Sequence, residues 1–150
     1  MFGNEKTAKI LGYAGLIPFI TISIGCWISL PYLSDAIQLL INYAAIILSF
    51  MGAIYWGVAI ANINASADVQ SNKHFIVSII FALTAWLSLL LPEVLALVIL
   101  QVGFIVLIVY DLKVVKLQGL PDWYMRMRKR LTIIVELCLI SALLSVILLK

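Results

Sequence analysis

The sequence predicts an all-α integral membrane protein, a bundle of five transmembrane helices that forms one membrane domain over residues 1–150. Three observations predict this class: 65% of the residues are hydrophobic, only 11% are charged, and the mean hydropathy is +1.17. Soluble domains carry about a quarter charged residues, so this chain has too few to cover a water-exposed surface. Its apolar runs are unbroken and lack the alternation of a membrane barrel, which favours helices.

The five predicted spans follow from the length of these runs, because a helix needs about 20 apolar residues to cross a bilayer. They cover about residues 10–30, 37–62, 75–91, 94–110 and 131–149. The third and fourth are short and are joined by Pro92 and Glu93, which predicts a helical hairpin. Residues 111–130 are predicted to be a basic interfacial loop on the cytoplasmic side, with a new helix starting near Pro121 and Asp122.

The basic residues set the predicted orientation. Five crossings place the N-terminus and the loops after spans two and four on one side, together with nine of the ten Lys and Arg residues. Only Lys150 lies on the other side. The positive-inside rule then predicts a cytoplasmic N-terminus and an outside C-terminus. No signal or transit peptide pattern is visible, which favours the bacterial inner (cytoplasmic) membrane.

Small residues recur at every fourth position of span two and predict a helix-packing face. They are Ala45, Ser49, Ala53, Gly57 and Ala61. We expect this face to pack within the chain, most closely against span one, and a homodimer seam is the alternative.

Proline is expected to bend span one near mid-membrane. Pro18 has no N–H for the carbonyl of Ala14. We expect a neighbouring hydroxyl or water to meet that carbonyl, and a bend that lines a cavity is the alternative.

Glu136 is the one ionisable residue well inside a predicted span, and Thr132 lies one turn away on the same helix. A carboxylate at this depth is costly, so it is either a proton-relay or cation-binding group or a structural group with a polar partner. Gln101, Tyr55 and Asn42 are further intramembrane polar candidates, for which interhelical hydrogen bonding is the commoner role.

The sequence offers no catalytic constellation, metal cluster or cofactor motif. His74 is the only histidine and stands at the start of span three, where we expect it to be solvated at a helix end. Cys26 and Cys138 lie in apolar spans and are expected to be buried thiols. An enzyme is therefore the less favoured class.

A basic and aromatic cluster opens the fifth helix and suits the membrane surface. Its members are Trp123, Tyr124, Arg126, Arg128, Lys129 and Arg130. Aromatic rings suit the headgroup level, and the cations suit anionic lipid head groups. Anchoring is the simpler interpretation, and docking of an acidic partner or a lipid head group is the functional one. Nucleic acid is not expected, because the charges are held at a bilayer surface.

Several motifs occur together in an order that resembles one family. They are LGYAGLIPF at 11–19, FMGAIYWG at 50–57, AW at 85–86 with LLLP at 89–92, and LPDWY at 120–124. The chain resembles a family of small multi-pass membrane proteins of unknown function that includes mitochondrial transmembrane protein 69 and proteobacterial relatives. The resemblance covers nearly the whole chain. It implies the fold and the location, and it supplies no activity.

Three function classes follow from the sequence. The first is an accessory, assembly or scaffolding membrane protein with a membrane-protein partner or a homo-oligomer, favoured by short loops and the small-residue face. The second is a small proton-coupled transporter or carrier that uses Glu136. The third is a quinone-binding or other membrane enzyme subunit, which rests only on aromatic residues such as Tyr55, Trp56 and Trp86.

Overall fold

A computed structural model describes residues 2–28, 30–61, 68–118 and 122–150, and within these ranges the chain is helical without strands. The helices are α1 (Phe2–Ala14), α2 (Leu16–Ile28), α3 (Leu33–Ala61), α4 (Asp68–Ser88), α5 (Glu93–Gln118) and α6 (Asp122–Leu149), with a 3₁₀ turn at Leu30–Tyr32. The all-α class is therefore confirmed.

Four helical segments of the described chain are long and apolar enough to cross a membrane: Glu5–Ile28, Leu30–Ile60, Glu93–Lys113 and Asp122–Leu149. Asn72–Ser88 is a shorter apolar helix at the position of the predicted third span. Large apolar side chains project from the outside of the bundle, including Ile28 at 75% and Leu90 at 65% exposure. A surface of this kind suits lipid and not water.

The segment at 111–130 differs from the predicted loop. Helix α5 continues to Gln118, and α6 begins at Asp122, as the Pro-Asp start signal indicates. The sequence predicts that span four ends before the charge of Asp111. That side chain is instead buried and paired inside the bundle, so the helix passes through it.

The two chain ends lie at opposite ends of the bundle. Near the N-terminus, Lys9 Nζ lies 5.5 Å from the ring of Trp123 at the start of α6. At the other end, Lys150 pairs with Glu93 at 2.5 Å. The predicted hairpin is confirmed there, because a tight turn joins α4 to α5 and the Pro92 carbonyl accepts the amide of Ala96 at 2.9 Å. We call the end that holds Lys9 and Trp123 the basic end.

Span one is interrupted at Gly15, three residues before Pro18, and we call this interruption the bend. Helix α1 stops at Ala14, and α2 starts at Leu16, which places Pro18 in the first turn of α2, where its missing N–H is tolerated. The hydroxyl of Tyr43 on α3 donates to the carbonyl of Gly15 at 2.9 Å. A side-chain hydroxyl therefore meets a carbonyl at the bend, although it belongs to Gly15 and not to Ala14.

The closest helix pairing is α3 with α4, and not span one with span two as the small-residue pattern suggested. A Cβ on Gly52 would stand 2.7 Å from the Cβ of Phe81, so glycine is what lets the two helices approach. Of the predicted packing residues, Ala45 is buried and Ser49 half-buried, whereas Ala53 and Gly57 are exposed. The side chain of Ala61 lies outside the described residues.

Candidate functional site: a buried charge cluster beside an apolar cavity

A carboxylate, a guanidinium and a phenol from three helices meet inside the basic end of the bundle. Arg128 on α6 donates from Nε and Nη2 to Oδ2 of Asp111 on α5, at 2.9 and 2.5 Å. The hydroxyl of Tyr55 on α3 donates to the other oxygen, Oδ1. All three residues are buried, with exposures of 5% for Arg128, 7% for Asp111 and 3% for Tyr55. We call these residues the charge cluster.

An aromatic layer extends the charge cluster to a fourth helix. The ring of His74 on α4 stacks against Tyr55, with centroids 6.0 Å apart. The hydroxyl of Tyr110 lies 3.0 Å from His74 Nδ1, within hydrogen-bond distance. His74 is 2% exposed, so the expectation of a solvated helix-end histidine was wrong. Side chains of α3 and α5 cover the His74 ring, which the sequence alone places at a solvated helix end.

The electrostatics of the charge cluster favour a fixed arrangement. Both oxygens of Asp111 accept hydrogen bonds, and the ion pair carries no net charge. A paired and hydrogen-bonded charge is the form in which ionisable groups are tolerated away from water. The charge cluster therefore ties α3, α5 and α6 together at one level of the bundle.

One nitrogen of Arg128 is held less well than the other two. Its Nη1 group donates to the sulfur of Met51, and a thioether is a weak acceptor. Arg128 and Met51 both line a cavity of about 290 Å³. The guanidinium therefore presents one poorly satisfied donor to an open space.

The cavity lies beside the bend in span one and is almost wholly apolar. Its floor contains buried side chains such as Leu16, Phe19 and Leu107, while Leu11 and Phe50 at its rim are more than 60% exposed. It therefore opens toward the lipid-facing side between α1 and α3. The bend does line a cavity, which was the alternative and not the expected outcome.

The polar wall of the cavity is formed by α6. Tyr124 and Thr132 line it together with Arg128. Arg128 was expected at the membrane surface and is instead turned inward by its pairing with Asp111. The other cations of that predicted surface, Arg126, Lys129 and Arg130, are exposed as expected, whereas Trp123 and Tyr124 are half-buried.

The remaining intramembrane candidates do not form one site. Glu136 is half-buried, and its Oε1 atom is buried without a hydrogen-bond partner among the described residues. The Nε2 atom of Gln101 is likewise buried without a hydrogen-bond partner among the described residues. Asn42 is exposed and accepts a hydrogen bond from Gln38 at 3.0 Å. Thr132 faces the cavity, and no hydrogen bond joins it to Glu136 in the described chain.

The sulfur and metal chemistry of the described residues is simple. Cys26 and Cys138 are free and buried, which confirms the expectation for both thiols. Within the described ranges, no three His, Cys, Asp or Glu side chains stand close enough to hold a metal ion.

Comparison with known proteins places the chain in a family. A family model described as a protein of unknown function, DUF3429, matches residues 4–144. The chain belongs to the DUF3429 family. It is also 34% identical over 145 residues to transmembrane protein 69 of Xenopus tropicalis, a match that covers 93% of this chain and 54% of that protein. The chain thus spans about half the length of this relative. No solved structure matches this chain significantly.

The family assignment confirms the resemblance found in the sequence and supports a multi-pass membrane protein. It brings no activity with it, since the DUF3429 family is described only by its unknown function. The motifs that carried the resemblance also supply this site: FMGAIYWG contains Met51 and Tyr55, and LGYAGLIPF contains the bend and one wall of the cavity.

Proposed function

We propose that the protein is an accessory or assembly protein of the bacterial inner membrane, in which a rigid helix bundle presents an outer face to a membrane-protein partner. One observation carries the proposal: the outer face of α3 has a gap among large side chains. Ala53 and Gly57 are exposed there, between Phe50 at 63% and Ile60 at 54% exposure. A Cβ on Gly57 would meet nothing within 4 Å. We call this face the α3 seam.

Membrane helices associate through such gaps, because lipid removes the hydrophobic drive and leaves close backbone approach as the main source of attraction. A partner helix would set its own side chains into the α3 seam. The charge cluster supports this role, since it holds α3 in a fixed relation to α5 and α6. By the positive-inside rule, we place the basic end and the N-terminus in the cytoplasm and the C-terminus outside.

The partner proposal predicts a selective effect of filling the α3 seam. Gly57→Leu should reduce recovery of a co-purifying membrane protein by about tenfold, which corresponds to about 1.4 kcal/mol of binding free energy. The measurement is affinity capture of the tagged chain from native membranes in mild detergent, followed by quantitative mass spectrometry. A differently tagged second copy, expressed together with the first, reports self-association through the same face.

Gly25→Leu is the matched control, because a Cβ on Gly25 also meets nothing within 4 Å and Gly25 belongs to α2. It should recover the partner as wild type does. Equal recovery by wild type and Gly57→Leu, or a wild-type chain that captures neither a partner nor a second copy, would contradict the proposal.

A proton-coupled carrier is the second candidate, and the unpartnered Oε1 atom of Glu136 favours it. A carboxylate that has no fixed partner at membrane depth is available for a proton or a cation. In liposomes that contain a pH-sensitive dye, Glu136→Gln should abolish a proton flux that the wild type supports. Glu93→Gln is the control, since Glu93 pairs with Lys150 at the end of the bundle. Wild-type flux no greater than that of protein-free liposomes would exclude this candidate.

A further inference from the structure

The cavity beside span one has the features of a binding site. Its lining excludes Ala53 and Gly57 of the α3 seam, although Phe50 borders both. Its floor is buried, and its walls come from α1, α2, α3, α5 and α6. An apolar cavity of roughly 150 Å³ stays dry and takes up a molecule as small as benzene. At about 290 Å³, this cavity is nearly twice as large, which is enough for a hydrocarbon chain of several carbons.

The polar side chains of the cavity all come from α6. They are Tyr124, Arg128 and Thr132, and only Arg128 is charged. The rest of the lining continues along the bend of span one to Leu16 and Phe19. A ligand that fits this distribution has an apolar chain and a single polar head.

The charge of Arg128 in the polar wall determines which lipid head group the cavity can bind. Arg128 is 95% buried, and among the residues that the structure describes its Nη1 group has only the Met51 sulfur as an acceptor. Arg126, Lys129 and Arg130 are exposed on the same turns of α6 and leave this end of the bundle strongly positive. A phosphate oxygen would give Nη1 the charge-assisted hydrogen bond that it lacks.

We propose that the cavity binds several carbons of one acyl chain of an anionic phospholipid and that Nη1 of Arg128 binds its phosphate. The source is the surrounding bilayer, because the rim residues Leu11 and Phe50 are exposed on the lipid-facing side. The lipid then fills the space between α1 and α3 and becomes part of the structure of the basic end.

The test is native mass spectrometry of the full chain in a neutral detergent, titrated with phosphatidylglycerol or with phosphatidylcholine of identical acyl chains. We expect one phosphatidylglycerol per chain in a saturable manner. Phosphatidylcholine carries the same phosphate but adds a choline cation, which the exposed cations Arg126, Lys129 and Arg130 repel, so we expect it to bind at least about tenfold more weakly. Equal binding of the two lipids would overturn the proposal. Displacement of the lipid by excess inorganic phosphate would overturn it too, since an anion site without an acyl chain would explain that result.

Two variants test the two halves of the site. Gly12→Leu should abolish lipid retention, because Gly12 lines the cavity and a side chain there would extend toward Leu131 and Met127, two other lining residues that an added Cβ would meet at 3.3 Å. Gly57→Leu is the control outside the cavity and should retain the lipid; the same lipid retention by Gly12→Leu as by wild type would refute the site. In the double variant Asp111→Leu, Arg128→Met, phosphatidylglycerol should bind about tenfold more weakly, because its phosphate loses the hydrogen bond to the guanidinium. Phosphatidylglycerol binding equal to that of wild type would overturn the role of Arg128.

Discussion

Arg128→Met is expected to destabilise the folded bundle by about 3–5 kcal/mol, because it leaves Asp111 as a buried carboxylate without its cation. The guanidinium makes two hydrogen bonds to Oδ2 of Asp111, and both side chains are at least 90% buried. Thermal unfolding of the purified chain in detergent, followed by fluorescence-detected size exclusion, measures the loss. Lys129→Met is the neighbouring control; Lys129 is exposed, and its loss should change stability by less than about 0.5 kcal/mol.

Removing both charges together is expected to recover most of this loss. An ion pair that is replaced by apolar residues of similar volume is often neutral or stabilising, whereas breaking one partner is not. The stability of the double variant Asp111→Leu, Arg128→Met should therefore be close to that of wild type, apart from a loss of about 1 kcal/mol for the hydrogen bond that Tyr55 no longer makes. Two results would show that the ion pair does not hold the helices together. One is a double variant as unstable as Arg128→Met alone, and the other is an Arg128→Met variant as stable as Lys129→Met.

The parts of this fold that depend on local chemistry could be predicted from the sequence. The hairpin follows from two apolar runs that only Pro92 and Glu93 separate. The bend follows from the missing N–H of Pro18, and the start of α6 follows from the Pro-Asp pair. Each of these is decided within a few residues, by covalent geometry or by the unsatisfied groups at a helix terminus.

The charge cluster could not be predicted in the same way, because it depends on helix rotation. Asp111 and Arg128 stand on either side of one short connection, and an antiparallel pair brings them level. This matched spacing of Asp111 and Arg128 is visible in the sequence. The basic neighbours of Arg128 suggested a surface, however, and only the packing of α5 against α6 turns this one cation inward while Arg126, Lys129 and Arg130 stay exposed.

The small-residue face of span two shows the same limit. The four-residue period correctly marks residues on one side of a helix, but it does not say which neighbour fills each part of that side. Ala45 is buried, while Ala53 and Gly57 are left open on α3. The residue that sets the closest approach is Gly52, which the pattern only flanks, because Phe81 of α4 packs on it.

Gly52→Ala is expected to destabilise the protein by about 2 kcal/mol, although alanine is by about 1 kcal/mol the better helix former. The new Cβ would stand 2.7 Å from the Cβ of Phe81 and 3.5 Å from the carbonyl oxygen of Ser78. Neither is the free end of a flexible side chain, so α3 and α4 must move apart along their closest contact. The clash therefore outweighs the gain in helix propensity.

Two other glycines separate a backbone clash from a general intolerance of larger residues. At Gly103, the new Cβ would also meet an atom at 2.7 Å, but that atom is Cδ2 of Leu48. A torsion change of about 30° in that side chain, at a cost of about 0.5–1.5 kcal/mol, can relieve the contact. Gly103→Ala should therefore be nearly neutral, and Gly57→Ala, with open space around it, should not lose stability. Thermal unfolding of the three purified variants in detergent measures the order of their stabilities. If Gly103→Ala proved as unstable as Gly52→Ala, the distance alone would govern the cost, and the approach of α3 to α4 would have no special part in holding the bundle.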